Sequence, residues 1–168
     1  FGPVAQNVEI AGQNVALPQI QKDLDASFSD LQWVIDAYAL TLASLLLTAG
    51  SLGDRIGRRR VFTIGFAIFT VASLACGLAT DPTMLNLFRA VQGIGAAGML
   101  ATTLALIAQE FHGPERATAF GIWGGTIGGA VAIGPLVGGV LTDGLGWEWI
   151  FFVNVPIGIA AIALTLNK

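Results

Sequence analysis

The side chains able to do chemistry here are a few carboxylates and arginines set in apolar surroundings. Asp54 and four arginines, Arg55, Arg58, Arg59 and Arg60, fall within seven residues of the stretch AGSLGDRIGRRRVF. They hold half of the eight basic residues of a chain that is 54% hydrophobic. Arg89 stands alone inside a long apolar run, Asp36 near the start of another, and Glu9 among Gln6, Asn7, Gln13 and Asn14. An ionisable group inside such a run is costly unless paired or wetted, so function is its default reading. The chemistry open to these groups is the loading and release of protons and the making and breaking of ion pairs. Bond-making catalysis has little support. There is no G-x4-G-K-S/T nucleotide loop, no H-E-x-x-H helix and no histidine near a serine nucleophile pattern. The sole histidine, His112, lies in a polar connector and reads as solvated. The single cysteine, Cys76, excludes an internal disulfide and argues against a cysteine metal site. No cofactor, metal or enzymatic activity is expected, and any energy source would be an ion gradient rather than ATP.

The elements that must carry these groups are set by composition. A mean hydropathy of +0.73, 11% charged residues and 22 glycines point to lipid as the solvent. The net charge of −3 and the lack of an extended basic patch speak against a nucleic-acid partner. A bilayer core needs roughly 20 apolar residues in helix. Runs of that kind cover residues 33–53, 61–80, 84–109 and 117–141, with a shorter one at 150–166 that contains Pro156. Residues 4–20 are more polar. At 100° per residue, Gln6, Asn7, Glu9, Gln13 and Asn14 fall within an arc of about 160°. That helix can span if its polar face turns into the protein or a water-filled cavity; the alternative is a helix lying in the interface. The expectation is an all-α membrane protein whose six transmembrane helices form one bundle over residues 1–168.

Charge then orients the bundle. With six spans, Arg55, Arg58, Arg59, Arg60, Arg116 and Lys168 share one side, and most connector carboxylates lie on the other. Arginine-rich short loops stay cytoplasmic, so both chain ends are expected in the cytoplasm and the protein in the cell membrane. The chain opens without methionine or a signal-peptide pattern and reads as an excised or truncated piece.

Gly50, Leu52, Asp54, Arg55, Gly57, Arg58 and Arg59 carry the pattern G-x-L-a-D-r-x-G-r-R/K, with Gly53 where alanine is usual. The stretch resembles the loop between spans two and three of the major facilitator superfamily of transporters. Physically, Gly50 and Gly57 permit close approach and a sharp turn, and Asp54 can accept from Arg58 one turn on or cap the positive N-terminus of a neighbouring helix. The resemblance implies a gate, the cluster latching the two halves of the transporter in the outward-facing state. Glu110, at the end of span four, would be a further ion-pair partner.

LFRAVQGIGAA (residues 87–97) resembles the fourth-span motif of that superfamily, which implies that Arg89 and Gln92 face the central cavity. The bland alternative for Arg89 is snorkelling to the nearby outer interface. GIWGGTIGGAVAIGPLVGGVL (residues 121–141) resembles the antiporter motif of span five, G-x8-G-x3-G-P-x2-G-G. Gly121, Gly134, Pro135, Gly138 and Gly139 match, and Ala130 replaces the middle glycine. Glycines four apart make a smooth face for helix contact, and Pro135 removes one backbone hydrogen bond. In the superfamily this motif marks proton-coupled exporters.

NVALPQI (residues 14–20) and GWEWIFFVNVPIG (residues 146–158) are similar to signatures of the fourteen-span drug:proton antiporters. The alignment sets Glu9 where that family has aspartate, and Glu148 where it usually has arginine. Glu9 lies roughly 16 Å from the outer end of its helix, hence near the midplane, where a lone carboxylate could load and release a proton. The resemblance covers nearly the whole chain but only the N-terminal half of such a transporter. It implies proton-coupled export of drugs or amphiphilic cations by alternating access, with Glu9, Asp36, Arg89 and Gln92 coupling proton to substrate. Asp36 is equally well read as an interfacial aspartate. The partners implied are the bilayer, protons, a small molecule such as a lipophilic cation, and either the missing C-terminal half or a second copy. Two other readings stay open: an importer of a small solute on the same fold, and a helical-bundle fragment that moves nothing.

Overall fold

The computed structural model describes residues 2–166, which form seven helices and no strand. They are α1 (Gly2–Asp23), α2 (Phe28–Ile56), α3 (Arg58–Gly77), α4 (Pro82–Glu110), α5 (Gly113–Gly144), α6 (Trp149–Phe152) and α7 (Asn154–Leu166). Lys168, assigned above to the cytoplasmic side, lies outside the described residues. By length and composition α2, α3, α4 and α5 could each cross a membrane, and α6 with α7 adds a shorter apolar stretch.

Local chemistry fixes the helix ends. Ser27 caps α2 with a reciprocal box: its hydroxyl accepts from the Asp30 amide at 3.2 Å, while the Asp30 carboxylate accepts from the Ser27 amide at 2.9 Å. Asp81 caps α4 by accepting from the Met84 amide at 2.9 Å, with Pro82 in the first turn, where a missing N–H costs nothing. Between α2 and α3 there is a single residue, Gly57, at φ 103°. Few side chains tolerate that conformation, so glycine is what allows the reversal in one step. Pro156 has no N–H to give the Phe152 carbonyl, and the helix is interrupted at Val153, which separates α6 from α7. Pro135, by contrast, sits inside an unbroken α5.

α4 is the central rod, with α2 along one side and α3 along another, while α1 pairs with α5 and α7 leans on α3. Small residues set these approaches. A methyl added at Gly95 of α4 would stand 2.5 Å from the Phe69 amide nitrogen of α3, and one at Gly93 would stand 2.6 Å from the Tyr38 carbonyl of α2. Gly134 and Gly138 of α5 do the same for α1: a methyl at Gly134 would meet the Ala11 side chain at 2.5 Å, and one at Gly138 would run into the Gly12 backbone. Two apolar clusters fill the interior. Ile20, Val34, Cys76, Leu85, Trp147 and Phe151 belong to one, and Tyr38, Phe66, Phe69, Ala96, Met99 and Ala161 to the other. On α4 the residues between Leu85 and Ala96 include Arg89 and Gln92, and on α3 Ser73 separates Phe69 from Cys76. A polar layer is thus clamped between two greasy ones.

α1 follows the same logic. Gln6, Glu9 and Gln13 are buried, while Ile10 and Val15 are exposed. Three of the five polar side chains of the arc are thus turned into the protein, as a polar span requires, while Asn14 is left outside beside Ile10 and Val15.

Candidate functional site

The polar layer gathers side chains from five helices around one carboxylate. Glu9 of α1 is 2% exposed and Arg89 of α4 is 1% exposed. Arg89 Nη1 donates to Glu9 Oε1 at 2.6 Å and also to Gln92 Oε1. Gln92 Nε2 donates to the other carboxylate oxygen at 2.8 Å and to Ser73 Oγ of α3 at 2.7 Å. Asn154, the first residue of α7, donates through Nδ2 to the same Glu9 Oε2. Arg89 Nε donates to the Val34 carbonyl of α2 at 3.0 Å, and its guanidinium lies 4.2 Å from the centre of the Tyr38 ring. The Cys76 thiol stands 4.0 Å from Gln92 Oε1.

Physically this is a buried ion pair in which both Glu9 oxygens accept hydrogen bonds and Arg89 donates through Nε and Nη1. Such a pair is tolerated in a dry interior only when its other donors and acceptors are satisfied, and the loss of either charge leaves the partner stranded. An arginine stacked on an aromatic face adds attraction where water is excluded. Through these contacts the Glu9 carboxylate is linked, directly or through Arg89 and Gln92, to four other helices. Arg89 points inward to Glu9 rather than out to the interface. The spacing of Arg89 and Gln92, three apart on α4, puts both on the face that meets α1.

The other expected residues are elsewhere. Asp36 is exposed on α2 and makes no contact with Glu9. At the end bearing the arginine turn, Arg58 donates to Asp54 Oδ1 through Nε at 3.1 Å and Nη2 at 2.9 Å, and through Nη1 to the Ala105 carbonyl of α4 at 3.3 Å. Arg59 donates to the Thr165 carbonyl of α7. Arg58 and Arg59 thus tie the last turns of α4 and α7 to the start of α3. Arg55 and Arg60 are exposed, Gly50 approaches Ala101, and Glu110 is exposed with no ion pair among the described residues. Within the span-five motif, Gly134 and Gly138 carry the contact with α1 and Gly139 lies near Val15, whereas Gly121 has open space and Pro135 is exposed.

Ser73, Tyr38 and Asn154 were not singled out from sequence. Asn154 had a visible signal, since it is an amide within an otherwise apolar final run. Ser73 and Tyr38 had none, because their roles depend on how α2 and α3 sit against α4.

Comparison with known proteins agrees with this architecture. A model of the family described as Major Facilitator Superfamily matches residues 6–167. The chain is 44% identical over 152 residues to the tetracenomycin C resistance and export protein of Streptomyces glaucescens, covering 90% of this chain and 28% of that protein. It is 47% identical over 150 residues to the puromycin resistance protein pur8 of Streptomyces alboniger, covering 89% of this chain and 30% of that protein. In fold it is similar to the crystal structure of a bacterial homologue of the human lysosomal transporter Spinster in an inward-facing, unoccupied conformation. The TM-score is 0.69 at 23% identity, over 99% of this chain and 40% of that one. The chain thus spans under a third of the length of these two curated relatives. It belongs to the Major Facilitator Superfamily, a family of multi-pass membrane transporters and not of enzymes.

Proposed function

We propose that this chain is the first six-span bundle of a proton-coupled exporter of drugs or amphiphilic cations, with α1 and the α6–α7 pair completing the six. The observation that carries the reading is the one carboxylate buried among the described residues, Glu9, held by Arg89, Gln92 and Asn154. The resistance and export proteins to which the chain is similar support export as the direction. Glu9 carries the proton. While ionised it holds Arg89 and closes the polar layer. When it is protonated the ion pair is lost, and the unbalanced Arg89 charge favours rearrangement of α4 against α1. A cationic substrate competes with the proton for the same carboxylate, which makes exchange obligatory. Arg89 and Gln92 orient Glu9, and the Asp54–Arg58 pair with its neighbours Arg55, Arg59, Gly50 and Gly57 gates the cytoplasmic side. Gly134 and Gly138 seat α5 on the helix that carries Glu9, so the span-five motif acts on the proton site through packing. Asp36 and Glu110 are left as surface charges at the two ends of the bundle. Both chain ends face the cytoplasm, and the membrane is the cell membrane.

The test is substrate-induced proton release from the purified intact transporter in weakly buffered detergent, followed with a pH dye and a lipophilic cation as substrate. The wild type should release protons on substrate addition and Glu9→Gln should release none. Equal release from both would remove Glu9 from the coupling role.

A further inference from the structure

The three side chains that donate to Glu9 are not chemically equivalent. Arg89 carries only N–H groups and can donate but never accept. Gln92 has its carbonyl oxygen committed to Arg89 and the Cys76 thiol, and its amide nitrogen shared between Glu9 and Ser73. Turning that amide over would disrupt all four contacts. Asn154 is different: among the described residues its side chain bonds Glu9 alone. It also lines a cavity of about 250 Å³ whose other walls, including Val8, Val137, Leu141 and Ile157, are apolar. Asn154 thus borders open volume, and a turn of its amide breaks no second bond among the described residues. Its place is set by the interruption at Val153, which starts α7 at the height of the polar layer.

Protonation makes that freedom matter. An ionised carboxylate needs donors, whereas a neutral carboxylic acid carries an O–H that needs an acceptor. We propose that Asn154 is a positioning residue serving both states of Glu9: its Nδ2 donates to the ionised carboxylate, and after the amide turns over its Oδ1 accepts from the protonated one. The step balances simply. A proton from water on one side of the membrane forms the O–H bond at Oε2, and the reverse step returns it to water on the other side. No other covalent bond changes. The charged and titratable groups facing Glu9 are Arg89 of α4, Tyr38 of α2 and Cys76 of α3. None takes the place of Asn154: Arg89 cannot accept, the Cys76 thiol is turned to Gln92, and the Tyr38 hydroxyl, buried without a partner among the described residues, makes no hydrogen bond to Glu9.

This rests on the reading of Glu9 as the coupling carboxylate, and its test separates the two. Acid-minus-alkaline infrared difference spectra of the intact transporter in proteoliposomes would report the protonated-carboxyl C=O band, assigned to Glu9 by its loss in Glu9→Gln. In Asn154→Leu the band should move to higher frequency, as for an acid deprived of its acceptor. Proton-driven efflux of a lipophilic cation should fall about fivefold, the worth of one hydrogen bond of about 1 kcal/mol. Asn154→Gln keeps the amide, has the cavity to accept its extra methylene, and should restore both. Asn154→Ala carries the same expectation as Leu if the larger side chain prevents insertion. A band unmoved in Asn154→Leu or Asn154→Ala, or an equal loss in Asn154→Gln, overturns the proposal. A moved band alongside undiminished efflux in Glu9→Gln would leave the hydrogen-bond switch standing and remove the coupling reading instead.

Discussion

At the scale of the residue, Glu9 and Arg89 depend on each other. Each is nearly inaccessible, and each satisfies a charge that would otherwise be stranded in an apolar interior. Arg89→Leu should therefore destabilise the bundle by about 3–5 kcal/mol, the cost of an unpaired buried charge. Adding Glu9→Gln should recover most of that loss, because no charge is then left uncompensated and the two sites are in direct contact. Thermal unfolding of the single and double variants in detergent reads this out. A double variant as unstable as the sum of the singles would mean that the pair is not the unit described here. Much of this site is legible in sequence, because an arginine in an apolar helix and a carboxylate on a polar helical face each demand a partner. The identity of the partners is less so. Asn154 stands out as an amide in an apolar run, but that it reaches Glu9, and that Ser73 reaches Gln92, comes from α3 and α7 meeting α4 and α1, a tertiary fact no local pattern encodes. Asp36 shows the converse. Its type and depth make it a candidate, but the register of α2 leaves it exposed and apart from Glu9.

At the scale of the element, the glycines of α5 divide into two sets that sequence spacing alone cannot separate. Gly134 and Gly138 touch α1, while Gly121, Gly124 and Gly125 have open space where a side chain would go. Gly138→Val should lower the stability of the bundle by about 1–3 kcal/mol through forced separation of α1 and α5. Gly121→Val should leave the melting temperature of the bundle nearly unchanged. Equal effects of the two would contradict the α1–α5 contact. The helices themselves are readable from the apolar runs. α1 was the hard case, since its polar residues lower its hydropathy, and only the inward burial of Gln6, Glu9 and Gln13 explains how it sits among the others. The interruption of the last apolar run follows from Pro156, but its consequence, an amide delivered to the carboxylate, appears only in the assembled bundle.

At the scale of the whole molecule, the polar layer and the arginine turn are joined by α4, which carries Arg89 and Gln92 at one level and the Ala105 carbonyl bound by Arg58 near its end. A change at Glu9 that moves α4 would be felt by the Asp54–Arg58 pair. Asp54→Asn should cost little stability, because Asp54 is largely exposed and surface pairs are worth at most about 1 kcal/mol. It should instead slow export severalfold while substrate affinity is kept, as judged by equilibrium binding and transport rate on the same preparation. Loss of binding would place the pair in the substrate site rather than the gate. The most direct test of Glu9 as the proton carrier is efflux of a fluorescent lipophilic cation from proteoliposomes under an imposed pH gradient. The intact transporter should expel the cation while the gradient lasts, and Glu9→Gln, folded and inserted, should not. Gradient-driven efflux that survives Glu9→Gln would contradict the assignment of the proton to this carboxylate.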